Sequence, residues 1–305
     1  MRVSTRVMYG GLSDQLGMQA SRLVDSQRRI TTGQRLLRPS DDPTGAGRVA
    51  ILESRLSDLK QYEANSASAK ASLSSAEAAI AQVVAAFREA RRLALAGAND
   101  TMGESERHLM ACQVDLILSQ VKQAAETRNG GRYIFSGTLT QTSPLALTGN
   151  PADPYSYAGN DSLRMVEIAD GVCITTNVTA RTIFNFDGTG APSAPNAFAL
   201  LVKIRDDLNK GDAKALSNAL DDVDALLENF NKHRAEIGQT IQRIEFNTQH
   251  LLEQQEVVMG LRADITEVDF AEALIQYSTH QVVYQATIAL ASHMHQPGLF
   301  EFLSR

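Results

Sequence analysis

One candidate catalytic group in the sequence is the pair of neighbouring carboxylates Asp41 and Asp42. Two such groups can share general acid and base work when one holds a proton that the other lacks. This pair, however, directly precedes Pro43 at the start of a long segment with helical periodicity. A carboxylate at that place accepts hydrogen bonds from the free N–H groups of the first helical turn, and proline suits that turn. We therefore predict that Asp41 or Asp42 caps a helix and that neither is catalytic.

A second group consists of His108, Cys112, His293 and His295. His108 and Cys112 are four residues apart, which places both on one helix face and permits metal binding. No second ligand pair lies near them in the sequence, and His293 and His295 point apart on a helix because they are two residues apart. These residues define one hypothesis, a helical enzyme or metal-binding protein, which metal analysis of the purified protein would test. We expect instead no metal, no cofactor and no catalytic residue, so the chain is predicted not to be an enzyme.

The composition argues against several classes of protein. At 305 residues the chain can bury a sizeable core, but its net charge of −6 argues against a general nucleic-acid binder. Two cysteines do not make a disulfide framework, and we predict that Cys112 on a helix and Cys173 in a strand are small buried apolar residues. No apolar segment is long enough for a signal peptide or a membrane span. We expect no nucleic-acid partner and no membrane contact.

The strongest pattern lies near the two ends of the chain, where apolar residues recur in 4-3 spacing. That spacing places them on one line along a helix, here called a seam, and a seam must be buried against another helix. Gln19 and Gln281 are polar positions in these seams. We interpret them as residues that fix the register of packing, and the alternative is that they face solvent. The predicted assembly interface consists of Tyr9, Leu12, Leu16, Gln19, Leu23 and Ile30 near the start and of Phe270, Leu274, Tyr277, Gln281, Tyr284 and Ile288 near the end.

These two seams favour a protein that joins other chains over one that transforms a small molecule. Burying one large apolar side chain contributes about 1.5–3 kcal/mol, while ordering each backbone residue costs about 1–2 kcal/mol. A lone pair of long helices, each with one apolar seam, is therefore marginally stable. We predict that both end segments are poorly ordered in the monomer and become ordered in an assembly.

Start and stop signals divide the first part of the chain into three helices. The first is predicted over residues 4–32 and ends at Gly33, whose missing Cβ suits a left-handed cap. The second runs from Pro43 to Gly97, and the third covers about 104–128. Their seams are Leu73, Ala76, Ile80, Val83, Phe87, Ala90 and Ala94 in the second helix and Met110, Val114, Ile117, Val121 and Ala124 in the third. The turn and cap motif between the first two helices consists of Gly33, Arg38, Pro39, Ser40, Asp41, Asp42 and Pro43.

The amino-acid composition changes between residues 132 and 195. Gly, Pro, Asn, Asp and Thr become frequent, and helical periodicity disappears. Segments 163–168, 172–176 and 181–186 are predicted to be short strands, with a tight turn at Asp170–Gly171 between the first two. This region is predicted to be a small β-rich insert.

Helical periodicity returns near Ala197 and, after a break at Gly211–Asp212, continues to about Ile265. About fifty residues of helix would be roughly 75 Å long at 1.5 Å per residue. A compact chain of this length would have a radius of gyration of only about 19 Å. The sequence therefore predicts a rod.

These elements predict a mainly α fold. We expect an elongated antiparallel helical bundle or coiled coil formed by both chain ends, with a small β-rich inserted domain. The predicted division assigns residues 1–42 and 264–305 to the terminal coiled-coil helices, 43–131 and 196–263 to the helical bundle, and 132–195 to the insert.

The segment Arg22–Pro43 (RLVDSQRRITTGQRLLRPSDDP) resembles the N-terminal motif of the flagellin superfamily, in which a helix ends in a Ser/Thr–Gly turn and an Asp–Asp pair opens the next helix. Asp264–Leu274 (DITEVDFAEAL), followed by Tyr284–Ala286, is similar to the matching C-terminal signature. Three details favour the hook-associated branch of the superfamily, at the junction of hook and filament, over flagellin itself. They are the Arg38–Pro43 form of the turn, Gly131–Gly137 (GRYIFSG) and Val283–Ala286 (VYQA).

The resemblance implies a structural component of the bacterial flagellum, an adaptor that joins hook to filament and serves motility. It implies an inner layer made by both chain ends, a helical middle layer and an outer β-rich domain. The implied partners are further copies in a ring, hook-associated protein 1 on the hook side, flagellin on the filament side and a flagellar export chaperone. It also implies an extracellular location after type III export without a cleaved signal peptide. The alternative is a short flagellin that forms the filament itself, and the number of copies per filament would separate the two.

Overall fold

The computed structural model describes residues 2–99, 102–186 and 195–294, with side chains described from Gly10 to Ser292 within those ranges. The described residues contain seven helices and three two-stranded antiparallel sheets. The helices are α1 (Arg2–Thr32), α2 (Pro43–Gly97), α3 (Glu104–Ala125), α4 (Ala180–Ile183), α5 (Ala197–Lys210), α6 (Ala213–Thr266) and α7 (Phe270–Met294). The strands are β1 (Arg128–Asn129), β2 (Arg132–Tyr133), β3 (Leu145–Asn150), β4 (Asp153–Tyr157), β5 (Met165–Ala169) and β6 (Val172–Thr175).

The fold class predicted from the sequence, mainly helical with a small β-rich insert, is confirmed. Two of the helices are very long, as the periodicity predicts: α2 has 55 residues and α6 has 54. The chain divides into two compact units, Met1–Asp58 with Gln254–Arg305, here called the end unit, and Leu59–Glu253, here called the central unit. The predicted three-part division concerns layers of an assembly and stays a prediction.

In the central unit, α2 and α6 run antiparallel. Glu77 of α2 accepts a hydrogen bond from Arg234 Nε at 3.0 Å, and Arg91 Nε donates to Asp224 at 2.6 Å. The residue numbers of these partners rise along α2 and fall along α6, which defines the direction. Both ion pairs are partly exposed, and such pairs contribute little to stability. The stability of the bundle therefore comes from the apolar residues of its interior.

The seams predicted for α2 and α3 form much of this interior. In α3, Met110 is half-buried, while the other predicted positions are buried. The ring of Phe87 packs edge-on against Phe230 of α6, with ring centroids 5.0 Å apart. The buried seam positions are Leu73, Ala76, Ile80, Val83, Phe87, Ala90 and Ala94 in α2 and Val114, Ile117, Val121 and Ala124 in α3.

The strand predicted over 181–186 is wrong. Ala180–Ile183 forms α4, and Phe184 is its C-cap. The apolar residues that suggest a strand instead fill the core, where the Phe198 ring lies 5.4 Å from that of Phe184 and 5.8 Å from that of Phe186, centroid to centroid. A short apolar run does not distinguish a strand from a buried helical turn, so tertiary packing decides its conformation.

The hairpin predicted at Asp170–Gly171 is confirmed, since β5 pairs with β6 in antiparallel register and Gly171 has φ 69°. The hairpin β3–β4 has no counterpart in the sequence-based prediction. Gly149 and Pro154 lie within its strands, and both residue types weaken a strand signal. This hairpin also contains a register shift between Leu147 and Asn150, which disturbs the alternation of side chains.

The third helix is shorter than predicted, because α3 ends at Ala125 and the segment Arg128–Asn129 is strand β1. Strand β1 pairs with β2 through Gly130 and Gly131, which have φ 58° and 78°. Positive φ at both central residues is typical of the type I′ turn that joins tight hairpins. Glycine at these two positions therefore forms the turn of the β1–β2 hairpin, and the helix ends before it, at Ala125.

Two asparagines anchor the β5–β6 hairpin to the long helices of the central unit. Asn65 of α2 donates from Nδ2 to the carbonyl oxygen of Glu167 at 2.8 Å. Asn247 of α6 donates from Nδ2 to the carbonyl oxygen of Ile168, also at 2.8 Å. These bonds satisfy backbone acceptors of a two-stranded sheet, which is marginally stable when isolated.

Gly97, the last residue of α2, has no room for a side chain. A Cβ there would lie 2.2 Å from Cδ2 of Leu208 and 3.3 Å from Cδ1 of Leu216, and both leucines are fully buried. We expect Gly97→Ala to lower the free energy of unfolding by about 1–3 kcal/mol, because an overpacked core must distort. Urea unfolding followed by circular dichroism measures the change. The control Gly238→Ala, in α6 with no atom within 4 Å of the new Cβ, should be stabilised by about 0.5–1 kcal/mol.

Asp207 in α5 is buried, and its Oδ2 atom has no hydrogen-bond partner among the described residues. Burial raises the pKa of Asp207 above 3.8, and the charges of Lys210 and Lys203 offset this only in part. Because the folded-state pKa is the higher one, rising pH ionises the unfolded chain first and lowers the free energy of unfolding.

We therefore expect Asp207→Asn to raise the melting temperature at neutral pH by about 2–4 °C, the change that corresponds to about 1 kcal/mol. The difference should vanish well below pH 3.8, where Asp207 is protonated in both states. Calorimetry across a pH series measures it. Asp206→Asn, which removes the negative charge that pairs with Arg205, serves as the control and should give no such gain.

Candidate assembly interface

The turn that follows α1 begins at Gly33. This residue has φ 68°, and its N–H donates to the Arg29 carbonyl oxygen at 2.9 Å. Residues with a side chain rarely adopt that left-handed conformation, so glycine ends the helix here without strain.

Asp42, and not Asp41, caps α2. Its Oδ1 accepts a hydrogen bond from the Gly45 N–H at 2.8 Å, and Pro43 occupies the first helical position. Asp41 instead accepts the Arg38 N–H at 3.0 Å and closes the turn. The geometry thus resolves the alternative that the sequence leaves open, and the two carboxylates have separate structural roles.

The remaining residues of the turn motif lie at its surface. Pro39 and Ser40 are exposed. The guanidinium group of Arg35 lies 3.8 Å from the Asp42 carboxylate and donates to the carbonyl oxygen of Ile265 at 2.8 Å. Arg35 therefore ties the turn to the end of α6 within the end unit.

A short backbone bridge joins the same two places. Gln34 pairs with Glu267 in antiparallel fashion, and the Arg35 N–H donates to the Thr266 carbonyl oxygen at 2.7 Å. The segment after α1 and the segment before α7 are thereby held together by their main chains.

Helix α7 starts beside the end of α1 and packs along it in the antiparallel direction. Asp269 caps α7, since its Oδ1 accepts the Ala271 N–H at 2.8 Å. The Phe270 ring lies 3.6 Å from the place where a Cβ of Gly33 would be. Sequence reasoning gave Asp269 no separate role, although an aspartate directly before an apolar helix is itself a capping signal.

One face of α1 packs on α7. Ser26 on this face is buried, and its hydroxyl donates to the Arg22 carbonyl oxygen at 2.9 Å, so it needs no partner from another helix. Tyr9 lies outside the residues whose side chains are described. The other α1 residues of the predicted interface are half-buried: Leu12, Leu16, Gln19, Leu23 and Ile30.

The face of α7 toward α1 coincides only in part with the predicted seam. Tyr277 and Tyr284 lie on this face, whereas the predicted residues Phe270, Leu274, Gln281 and Ile288 are exposed. Ala273 is small, and His280 and Thr287 are polar, so hydrophobicity does not mark them; their spacing of seven residues is the feature that could have revealed them. The buried and half-buried residues of α7 are Ala273, Tyr277, His280, Tyr284, Thr287 and Ala291.

Helix α7 has apolar side chains on all sides, with neutral polar residues such as Gln276, Thr279 and Gln285 between them. Between Phe270 and Ser292, α7 contains one charged side chain, Glu272 in the first turn, and one histidine, His280. A helix that is hydrophobic all round is normally buried. Here seven large apolar side chains are between 39% and 66% exposed: Phe270, Leu274, Ile275, Val282, Val283, Ile288 and Leu290.

The end unit has little core of its own. Among its described side chains, the buried apolar ones are Leu56 and Ala273. Helix pairs gain most of their stability from buried apolar area, so a partner that covers α7 would stabilise this unit further. The interface predicted from the sequence thus has two parts, one facing α1 and one facing solvent.

The first metal-binding candidates lie elsewhere, in α3. His108 is exposed, with its Nδ1 at 3.0 Å from Oδ1 of Asn209. The prediction of buried cysteines is wrong, because Cys112 lies on the outer side of α3 and Cys173 on the exposed face of β6.

His293 and His295 lie outside the residues whose side chains are described. Within the described ranges, no group of three or more His, Cys, Asp and Glu side chains could hold a metal ion. Within the same ranges, none of the helices has the length and apolar character needed to cross a bilayer.

These features define a class of protein, a helical chain whose last described helix, α7, leaves large apolar side chains exposed. Residues 3–140 match the family described as the bacterial flagellin N-terminal helical region, and residues 220–303 match the bacterial flagellin C-terminal helical region. The chain belongs to the flagellin superfamily.

Its relatives include two kinds of flagellar protein. Flagellar hook-associated protein 3 of Escherichia coli (strain K12) is 25% identical over 320 residues, with 99% of each chain covered. A flagellin of Listeria innocua is 20% identical over 296 residues, covering 97% of this chain and 96% of the relative. A flagellar hook-associated protein from Vibrio parahaemolyticus has a similar structure, with a TM-score of 0.68, 24% identity and coverage of 74% of this chain and 100% of the other.

The capping role of Asp42 predicts a measurable loss when the carboxylate is removed. We expect Asp42→Ala to lower stability by about 1 kcal/mol, because the Gly45 N–H loses its acceptor, whereas Asp42→Asn keeps a side-chain oxygen and most of the stability. Hydrogen exchange in the first turn of α2 reports the effect. Ser40→Ala in the same turn is the control, and unchanged protection in Asp42→Ala would contradict the cap.

Proposed function

We propose that this chain is a structural component of the bacterial flagellum, an adaptor that joins the hook to the filament and assembles through α1 and α7. One observation carries the proposal: α7 has apolar side chains on all sides, and α1 covers one of them. Packing against neighbouring chains removes the remaining sides from water.

The chemistry of α7 favours such burial. Each large apolar side chain transferred into an interface contributes about 1.5–3 kcal/mol. The charge of Glu272 is in the first turn, where the helix dipole favours a negative group. The rest of the helix can enter an apolar environment without burying an unpaired carboxylate or ammonium group, which would oppose association.

The proposed partners follow from the membership of the superfamily. They are further copies of this chain in a ring, hook-associated protein 1 toward the hook, flagellin toward the filament and an export chaperone. We propose an extracellular location at the junction after type III export without a cleaved signal peptide, and no nucleic-acid or membrane partner. Residues 1–42 and 264–305 would form the inner layer, 43–131 and 196–263 the middle layer, and 132–195 the outer domain.

A role without catalysis fits the same observations. The acidic pair that suggests chemistry consists of a helix cap and a turn closure, with Asp42 bonded to Gly45 and Asp41 bonded to Arg38. The relatives at full length are flagellar proteins. We propose that the chain carries no reaction and no cofactor.

The alternative is a short flagellin that forms the filament itself. The higher identity to hook-associated protein 3, 25% against 20% for the Listeria flagellin, favours the junction. Quantitative mass spectrometry of sheared filaments separates the two, because a junction protein is present in far fewer copies than the filament subunit.

The uncovered side of α7 provides a direct test of assembly. Ile275 and Val282 are seven residues apart on the side away from α1, and they are 66% and 64% exposed. We expect the double variant Ile275→Asp, Val282→Asp to keep the helical content of the isolated chain but to lose incorporation into flagella, because two carboxylates would be buried unpaired. Immunoblots of purified flagella and motility in soft agar measure this.

The matched control is Leu147→Asp, at an apolar position of β3 that is 80% exposed in the central unit. It should be incorporated normally. Normal incorporation of the α7 double variant would refute assembly through this helix.

A further inference from the structure

A polar cleft of about 430 Å³ lies in the central unit, apart from α1 and α7. Its volume is in the range of small-molecule sites. Its walls come from α2, from the β1–β2 hairpin and from the ends of β5 and β6. The α2 residues follow the spacing of one helix face: Asn65, Ser68, Ala69 and Ser72.

The second wall contains the Gly131–Gly137 segment, which the assembly through α1 and α7 does not use. A Cβ at Gly137 would lie 2.0 Å from the carbonyl oxygen of Asn160, so glycine allows the close approach of two loops that shapes this wall. The residues of the segment that line the cleft are Arg132, Tyr133, Ile134 and Gly137.

The third wall presents Arg164 in a fixed orientation. Its backbone N–H donates to Asn177 Oδ1 at 2.7 Å. In its side chain, Nε donates to Thr176 Oγ1 at 2.9 Å and Nη2 donates to Ser72 Oγ at 3.3 Å. A guanidinium group has five N–H donors, so donors remain for a ligand after these two side-chain bonds. Preorganised groups bind better because less freedom is lost on binding.

The charge of the cleft is positive. Arg132 is exposed and forms no ion pair with any described residue, and none of the lining residues is Asp or Glu. The nearby Glu167 carboxylate points to the hairpin turn, where it accepts the Gly171 N–H at 3.0 Å. In a chain of net charge −6, this lining selects for an anion.

We propose that this cleft binds an acidic sugar, with the arginines on its carboxylate and the neutral polar side chains on its hydroxyl groups. The planar guanidinium group matches a carboxylate in two parallel hydrogen bonds. Ser68, Asn129 and Thr140 supply hydroxyl and amide groups, which both donate and accept, as sugar hydroxyls require. Such a sugar can come from a free uronic acid or from an acidic polysaccharide.

Titration of the full-length chain with galacturonic acid, its linear trimer and galactose tests the proposal by ligand-observed NMR. We expect saturable binding of galacturonic acid with a Kd of about 1 mM, and at least about tenfold weaker binding of galactose. Tighter binding of the trimer than of the monomer indicates a polysaccharide as the source. Equal affinities indicate the free acid.

Two variants locate the binding. Arg132→Gln should weaken the binding of galacturonic acid by about tenfold, and Ser68→Asp should abolish it by placing a carboxylate in the cleft. Arg88→Gln removes the same charge from an exposed position of α2 outside the cleft and should bind as the parent chain does. Circular dichroism checks the fold of each variant. Absence of galacturonic acid binding, equal binding of galactose, or unchanged binding in Arg132→Gln would overturn the proposal.

Discussion

The constraint on which the end unit depends is that α7 has apolar side chains all round and one covered side. Covering the exposed sides of such a helix is favourable, because burial removes apolar area from water. The described side chains of the end unit bury little, with Leu56 and Ala273 as the buried apolar residues. The central unit differs, since its long helices bury their own seams.

The contact between α1 and α7 is not made by the most apolar residues of α7. Its α7 face includes the small and polar residues Ala273, His280 and Thr287. Larger apolar residues such as Ile275 and Leu290 are 66% and 63% exposed. The pairing within the chain therefore leaves several of the larger apolar side chains of α7 exposed. The cap at Asp269 and the backbone bridge between Gln34 and Glu267 fix where the end of α1 and the start of α7 meet.

Helices and their seams could be predicted because helical periodicity is a local property of the chain. The bounds of α2 follow from the start signal at Pro43 and the stop signal at Gly97, and the burial of its seam from Leu73 to Ala94 follows from spacing. The β-rich insert is harder to predict from the sequence, because its strands are short and one hairpin contains Gly149 and Pro154. In addition, the aromatic residues after α4 pack in a core and do not form a strand. The same limit applies to Cys112 and Cys173, whose exposure depends on which side of an element faces a neighbour.

By itself, the sequence determined that the protein is mainly helical, that it has a β-rich insert, and that its first and last helices have apolar surfaces. These are consequences of residue type and spacing along one element, which act before any two elements meet. Only the tertiary structure decided that Asp42 caps α2 while Asp41 closes the turn, that Tyr277 faces α1 while Leu274 faces solvent, and that Arg132 and Arg164 line one cleft. Because α7 has apolar side chains in every direction, the pattern of hydrophobic residues does not predict which face packs on α1. That face is determined by tertiary packing against α1.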